Sequence, residues 1–150
     1  YKRQPLKGLK VAIHYGCHLF RGEDPWEKPN MFRELVELTG VERVEYKLER
    51  LCCGFPTRQV SEEHSLKDRL APKLRAVEKS GADCLVVTCP ACLLQMETGQ
   101  VMLRRFKLRF DTPVLYLTEL LCLAIGFKPG EIGLNLHKSP VKKIIPKLGG

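Results

Sequence analysis

Five cysteines in three clusters constrain this chain more than any other feature of its sequence. Cys17 stands alone, Cys52-Cys53-Gly54 follow, and Cys89-Pro90-Ala91-Cys92 close the set, in the spacing C-x34-CC-G-x34-C-x-x-C. An adjacent pair, a CxxC and a distant single thiol within about half the chain are improbable by chance. Thiolates are soft ligands that select iron–sulfur clusters, zinc or copper(I). Five exceed by one what tetrahedral zinc takes. They also exceed by one what a cubane with one thiolate per iron takes. The pattern therefore points to an unusual iron–sulfur site, or to a four-ligand site with a spare thiol.

The 150 residues suit one domain with a single core. With 44% hydrophobic and 28% charged residues, the chain has the composition of an ordinary globular protein. The start, Tyr1-Lys2-Arg3-Gln4-Pro5, lacks the apolar region of a signal peptide. The longest apolar run, Leu120 to Phe127, is far below the ~20 residues that span a bilayer. Seven cysteines without a secretory signal fit a reducing compartment and metal ligation better than a disulfide framework. The expectation is a cytoplasmic location. The net charge is +8, with basic residues crowded at the start, at Arg104 to Arg109 and in the tail. This reads either as a surface for an anionic substrate or acidic partner, or as the solvated surface of a basic protein. No nucleic-acid role is expected, because the aromatics sit in apolar runs and no recognition motif is present.

The chain alternates strand-like and helix-like segments. Strands are expected at Lys10–His14, Val41–Tyr46, Cys84–Thr88 and Val114–Leu117. A helix over Met31–Leu38 buries Met31, Leu35 and Leu38, capped by Asn30 and ended by Gly40. A second, Ser61–Ser80, is kinked or split by Pro72. A third runs from Ala91 to about Phe106, and a fourth is capped by Thr118 and reaches Ala124. The fold class is α/β: a small parallel sheet of about four strands flanked by helices. The five cysteines then gather at the carboxyl ends of the strands, where such folds bind ligands. The helix that opens inside the CxxC adds its positive end there and favours thiolate. Gly16 and Gly54 let the backbone bend around a bulky group, and their amides can donate to sulfur.

The motif resembles the signature of the cysteine-rich CCG domain. That domain occurs in subunits of heterodisulfide reductase, thiol:fumarate reductase, some succinate dehydrogenases and glycolate oxidase. Val11 to Arg21 (VAIHYGCHLFR), Thr88 to Cys92 (TCPAC), Pro113 to Ala124 and Leu136 to Val141 (LHKSPV) resemble segments of the cysteine-rich subunit of heterodisulfide reductase, so the likeness spans roughly residues 8–143. It implies a metal site made of Cys17, Cys52, Cys53, Cys89 and Cys92 holding a non-cubane [4Fe-4S] cluster, with zinc as the alternative. It implies an oxidoreductase active only in a complex, exchanging electrons with a small-molecule disulfide. Its partners would be other iron–sulfur and flavin subunits, with no transmembrane segment of its own and a place peripheral to a membrane complex. Such subunits usually carry two CCG repeats. Residues 1–150 hold one, so they are expected to form a single domain, the C-terminal half of a longer subunit. Two other readings stand: a non-catalytic electron-transfer or assembly domain of a succinate dehydrogenase type complex, and a relay of glycolate oxidase type.

His18, Arg21 and Arg58 flank the ligand loops and are candidate substrate contacts, the arginines through charge-assisted bonds to an anionic disulfide. Catalytic residues are not identifiable from the sequence. Cys84 and Cys122 lie in apolar segments and are expected to pack as small hydrophobes. His14 is expected in the core, His64 and His137 on the surface, and Glu119 at a helix start.

Overall fold

The computed structural model describes residues 5–20 and 27–148. Four short parallel strands form one sheet: β1 (Lys10–His14), β2 (Glu42–Arg43), β3 (Cys84–Val87) and β4 (Val114–Tyr116), in the order β2-β1-β3-β4. Ala12 pairs with Leu85, and Val86 with Leu115. β1 and β3 are the central strands, and nearly all of their residues are buried, as expected for a sheet covered on both faces.

The period of two along each strand divides the core. Val11, Ile13, Cys84, Val86 and Leu115 face one side, against Phe32 and Val36 of α1 (Glu27–Leu38) and Leu120 and Leu123 of α5 (Leu117–Ala124). Ala12, Leu85, Val87 and Val114 face the other side. There they meet Leu74 and Val77 of α3 (Ala71–Lys79) and Met96 and Leu103 of α4 (Pro90–Leu103). Each such leucine contributes about 1.5–3 kcal/mol on burial. α4 packs tightly on the segment before α3: a Cβ on Gly99 would lie 2.1 Å from Leu70 Cδ2. Among the described residues no helix is long and apolar enough to cross a membrane.

The parallel α/β architecture is the one the sequence predicts, with corrections in its parts. α1 starts at Glu27 rather than after Asn30, with Pro29 tolerated in its first turn. Its inward residues are Phe32 and Val36, while Met31, Leu35 and Leu38 are exposed. β2 is two residues long rather than six, because the chain leaves the sheet edge after the Val44 amide bonds Val11. The helix across Pro72 is not split: it runs unbroken from Glu62 to Lys79. α2 (Glu62–His64) runs into a π-helical turn, Ser65–Leu70, whose wide winding precedes α3. The Ala71 amide reaches back to Leu66 O, so the ladder already skips a residue where Pro72 cannot donate. α5 is capped by Tyr116, not Thr118. Glu119 accepts from the Tyr116 amide at 2.7 Å in a capping box.

Candidate metal centre

The strand ends deliver two of the three cysteine clusters directly. β1 ends at His14, and Gly16, at φ +75°, turns the chain into the 3-10 turn Cys17–Phe20. β3 ends at Val87, and Cys89 takes the N-cap of α4 in extended backbone. Pro90 fills the first helical position, where its missing N–H costs nothing. Cys92 therefore sits in the first turn of a 14-residue helix, at its positive end.

Cys52 and Cys53 arrive differently. β2 stops at Arg43, and a loop carries the chain on to them. Gly54, at φ +87°, makes the turn, and a Cβ there would lie 2.9 Å from Arg69 Cβ. A buried polar set fixes this turn. Ser65 Oγ donates to Gly54 O at 2.7 Å, and Gln95 Nε2 reaches Cys53 O at 3.3 Å and Ser65 Oγ at 2.9 Å. α4 thus holds the adjacent pair through Gln95 while presenting its own Cys92. The Gly54 amide donates to Cys52 Sγ at 3.5 Å, a bond that stabilises charge on sulfur.

All five cysteines line one cavity of about 130 Å³, whose remaining wall is His18, Phe55, Pro56 and Ala91. Cys53 and Cys92 are buried, the other three half-buried. Interaction with Cys92, aided against burial by the nearby His14, holds the Cys53 thiol far below the usual range. Cys92 is pushed up by its interaction with Cys53 and by burial. Burial also raises Cys52.

His14 joins this group. It follows Ala12 by two along β1, on the face that carries Cys53 and Cys92, and its Nε2 lies 3.3 Å from Cys92 Sγ. Its Nδ1 is buried without a hydrogen-bond partner, and burial lowers its pKa, so the ring is neutral. The ligand atoms of His14, Cys53 and Cys92 lie within 4.8 Å of one another. Soft sulfurs and a neutral imidazole, with no carboxylate among the described lining residues, suit a thiophilic metal centre and not a hard cation. The sequence places His14 in the core, and it is buried there, but its strand-end position and alternation mark the face it shares with the thiols. Gln95, three residues beyond Cys92 in an apolar helix, is the other signal that sequence reasoning passes over.

His18 is exposed at the cavity mouth. Arg58 lies outside the cavity, in the adjoining groove with Phe55 and Leu94. Its guanidinium is 3.3 Å from Thr98 Oγ1 and 3.7 Å from Glu62. Arg21 lies outside the described residues. Cys84 is wholly buried in β3, where burial pushes its thiol up, and Cys122 is half-buried on α5; neither lines the cavity. His64 is on the surface beside Asp68. His137 is not: it is half-buried, its ring held between Glu97 and Glu119, carboxylates from α4 and α5 that the sequence does not pair.

Comparison with known proteins bears on the same residues. The cysteine-rich domain family model matches residues 11–97, which take in all five cysteines of the cavity. The chain is 41% identical over 143 residues to a subunit of the ferredoxin:CoB-CoM heterodisulfide reductase of Methanosarcina mazei, covering 90% of this chain and 47% of that protein. It is 33% identical over 139 residues to the 8-methylmenaquinol:fumarate reductase membrane anchor subunit of Wolinella succinogenes, covering 89% of this chain and 49% of that protein. It is also 33% identical over 153 residues to a heterodisulfide reductase subunit-like protein of Archaeoglobus profundus, covering 95% and 50%. The chain spans about half the length of these curated relatives. With the family model covering more than half of its residues, and its thiols gathered as that motif requires, the chain belongs to the cysteine-rich CCG domain family.

Proposed function

We propose that this chain is the iron–sulfur redox domain of a heterodisulfide-reductase-type complex. Cys17, Cys52, Cys53, Cys89 and Cys92 hold a non-cubane [4Fe-4S] cluster at the carboxyl edge of the sheet. The observation that carries the reading is that all five thiols of the motif line one cavity. When bound, the cluster supplies electrons singly to a thiol/disulfide couple that takes two. The chain's own groups prepare the site. The α4 terminus and the Gly54 amide favour sulfur as thiolate. Phe55, Pro56 and Ala91 give the cavity an apolar wall that limits water. His18 stands at the mouth, and Arg58 and Arg21 receive the anionic groups of a disulfide substrate. The domain corresponds to one half of a two-repeat subunit, in keeping with its span of about half its relatives. Electrons come from another iron–sulfur subunit and a flavin subunit, in a cytoplasmic assembly peripheral to the membrane.

A second reading rests on His14, Cys53 and Cys92, whose ligand atoms are close enough for one metal ion. A zinc ion held by these and a further thiol would make the domain a non-catalytic assembly or relay module of succinate dehydrogenase or glycolate oxidase type. Metal and sulfide analysis with electron paramagnetic resonance on anaerobically reconstituted protein separates the two. The first reading expects about four irons per chain and a paramagnetic cluster state. Stoichiometric zinc without iron after reconstitution overturns it.

A further inference from the structure

Lys73 is the anomaly of the core. It is 0% exposed on α3, and lysine is almost never fully buried unless paired. Among the described residues no carboxylate accepts from it. Its Nζ donates to Leu48 O, to Glu49 O at 3.3 Å and to the Tyr46 hydroxyl at 3.4 Å, and lies 5.2 Å from the Tyr46 ring centroid. All of these partners are neutral. They satisfy the donors without cancelling the charge. All of them also belong to the loop that leads from β2 to Cys52 and Cys53. Burial pulls the Lys73 pKa down to about 7, and the negative charge of Cys53, Cys92 and Cys52, with a smaller share from Glu49, pulls it back up. A buried ammonium that bonds no carboxylate must either lose its proton or face a strong anion. A centre of three to five thiolates is a net anion whether zinc or an iron–sulfur cluster fills it.

We infer that Lys73 is the built-in counter-charge of the cysteine site. It pegs the loop that carries Cys52 and Cys53, and its charge favours metal uptake and the more reduced state of the centre. It is a positioning residue, since its hydrogen bonds go to the loop and to no sulfur. The inference rests on the proposal that a thiolate-bound centre forms, and not on which metal it contains.

The test uses the full chain as wild type and as Lys73→Met, Lys73→Gln and Lys73→Arg. Met keeps the length, Gln keeps a donor for the loop carbonyls, and Arg keeps the charge. Cobalt(II) is titrated anaerobically into the apoprotein and read by thiolate-to-cobalt absorption. The reconstituted protein is titrated with reductant. Met and Gln variants should bind cobalt about tenfold more weakly, the order expected when one unit charge leaves a partly buried site. Their midpoint potentials should move to more negative values, while the Arg variant stays near wild type in both measurements. If the Met variant does not accumulate as folded protein, the Gln and Arg variants decide between them. Wild-type affinity and potential in the Gln variant, or equal losses in Gln and Arg, would show Lys73 to be only a peg and overturn the inference. Wild-type protein that takes up neither cobalt nor cluster would instead overturn the metal reading, and the counter-charge with it.

Discussion

Two sets of polar side chains, each partly buried, lie at the carboxyl side of the sheet, and they differ in whether their members complete one another. In the first, His137 Nδ1 lies 2.7 Å from Glu97 Oε1 and Nε2 lies 2.8 Å from Glu119 Oε1. Ser139 donates to Glu97 through its amide and hydroxyl, and the Tyr116 amide donates to Glu119 Oε2. Both ring nitrogens are paired, and α4, α5 and the C-terminal tail are clasped together. In the second, five cysteines line a cavity, His14 Nε2 lies 3.3 Å from Cys92 Sγ, and His14 Nδ1 has no partner. A closed polar set stabilises a fold. Donors that cannot satisfy one another mark a place made to bind something. The difference, and not burial itself, separates structure from function here.

The largest effect expected from this contrast is on metal content. Cys53→Ser and Cys92→Ser remove buried sulfurs from the centre of the open set, and each should lose most of the bound metal, measured per chain after anaerobic reconstitution. Cys17→Ser, at the half-buried mouth, should lose less. Cys84→Ala alters a wholly buried thiol among apolar neighbours and should keep the metal. It should cost about 1–2 kcal/mol in urea unfolding. A Cys84→Ala protein that cannot load would erase the distinction between core and ligand cysteines.

The closed set should respond in stability and pH, not in metal. His137→Ala leaves two half-buried carboxylates without their shared partner and should cost roughly 2 kcal/mol. Hydrogen bonds to Glu119 and then Glu97 raise the His137 pKa from 6.5 to about 9. Its contribution is therefore full below about pH 6.5 and is lost as pH rises through about 9. Burial would raise Glu97, but the bonds from His137 and Ser139 outweigh it and hold the carboxyl at about 2. That contribution is full above about pH 4.5 and is lost as pH falls through about 2. Stability difference curves for wild type and His137→Ala should be widest between about pH 4.5 and 6.5 and narrow on the alkaline side. A constant difference up to pH 10 would show that the clasp is not an imidazolium pair.

The open set is largely legible in the sequence, because the cysteine spacing and the alternation of strands and helices give the same answer. Cys17 and Cys89 arrive at strand ends as the order of elements requires. The closed set is not legible. Glu97, Glu119 and His137 share no spacing rule, and only the fold brings α4 and the tail together. α1 shows a second limit. Met31, Leu35 and Leu38 have helical spacing, and so do Phe32 and Val36 one step round the helix. Periodicity cannot choose between two adjacent apolar stripes. The choice falls to packing: Phe32 meets Tyr15 edge-to-face at 5.9 Å, a contact no side chain on the other stripe can supply. Lys73 reads as an ordinary charge, because nothing in its neighbourhood of the sequence signals that the helix face holding Leu70, Leu74 and Val77 also buries an ammonium.

The smallest expected effect lies at the boundary of the open set, at Arg58. Its guanidinium bridges Thr98 and Glu62 on the groove beside the cavity, and both contacts are partly exposed. Surface pairs of this kind contribute about 0–1 kcal/mol, so Arg58→Ala should leave stability and metal content nearly unchanged. Phe55 lines both the groove and the cavity, so a ligand reaching the sulfurs past Phe55 passes within reach of Arg58. If the site takes an anionic disulfide, the arginine contributes binding that is the same in the ground state and the transition state. Arg58→Ala should then raise the apparent Michaelis constant of the assembled complex several-fold and leave turnover nearly constant. Raising the salt concentration should weaken wild type toward the variant, because the interaction is screened. If Arg58→Ala leaves disulfide kinetics untouched while the partner still reduces the centre, the groove is not a substrate path, and the domain is better read as an electron relay whose open set binds only its metal.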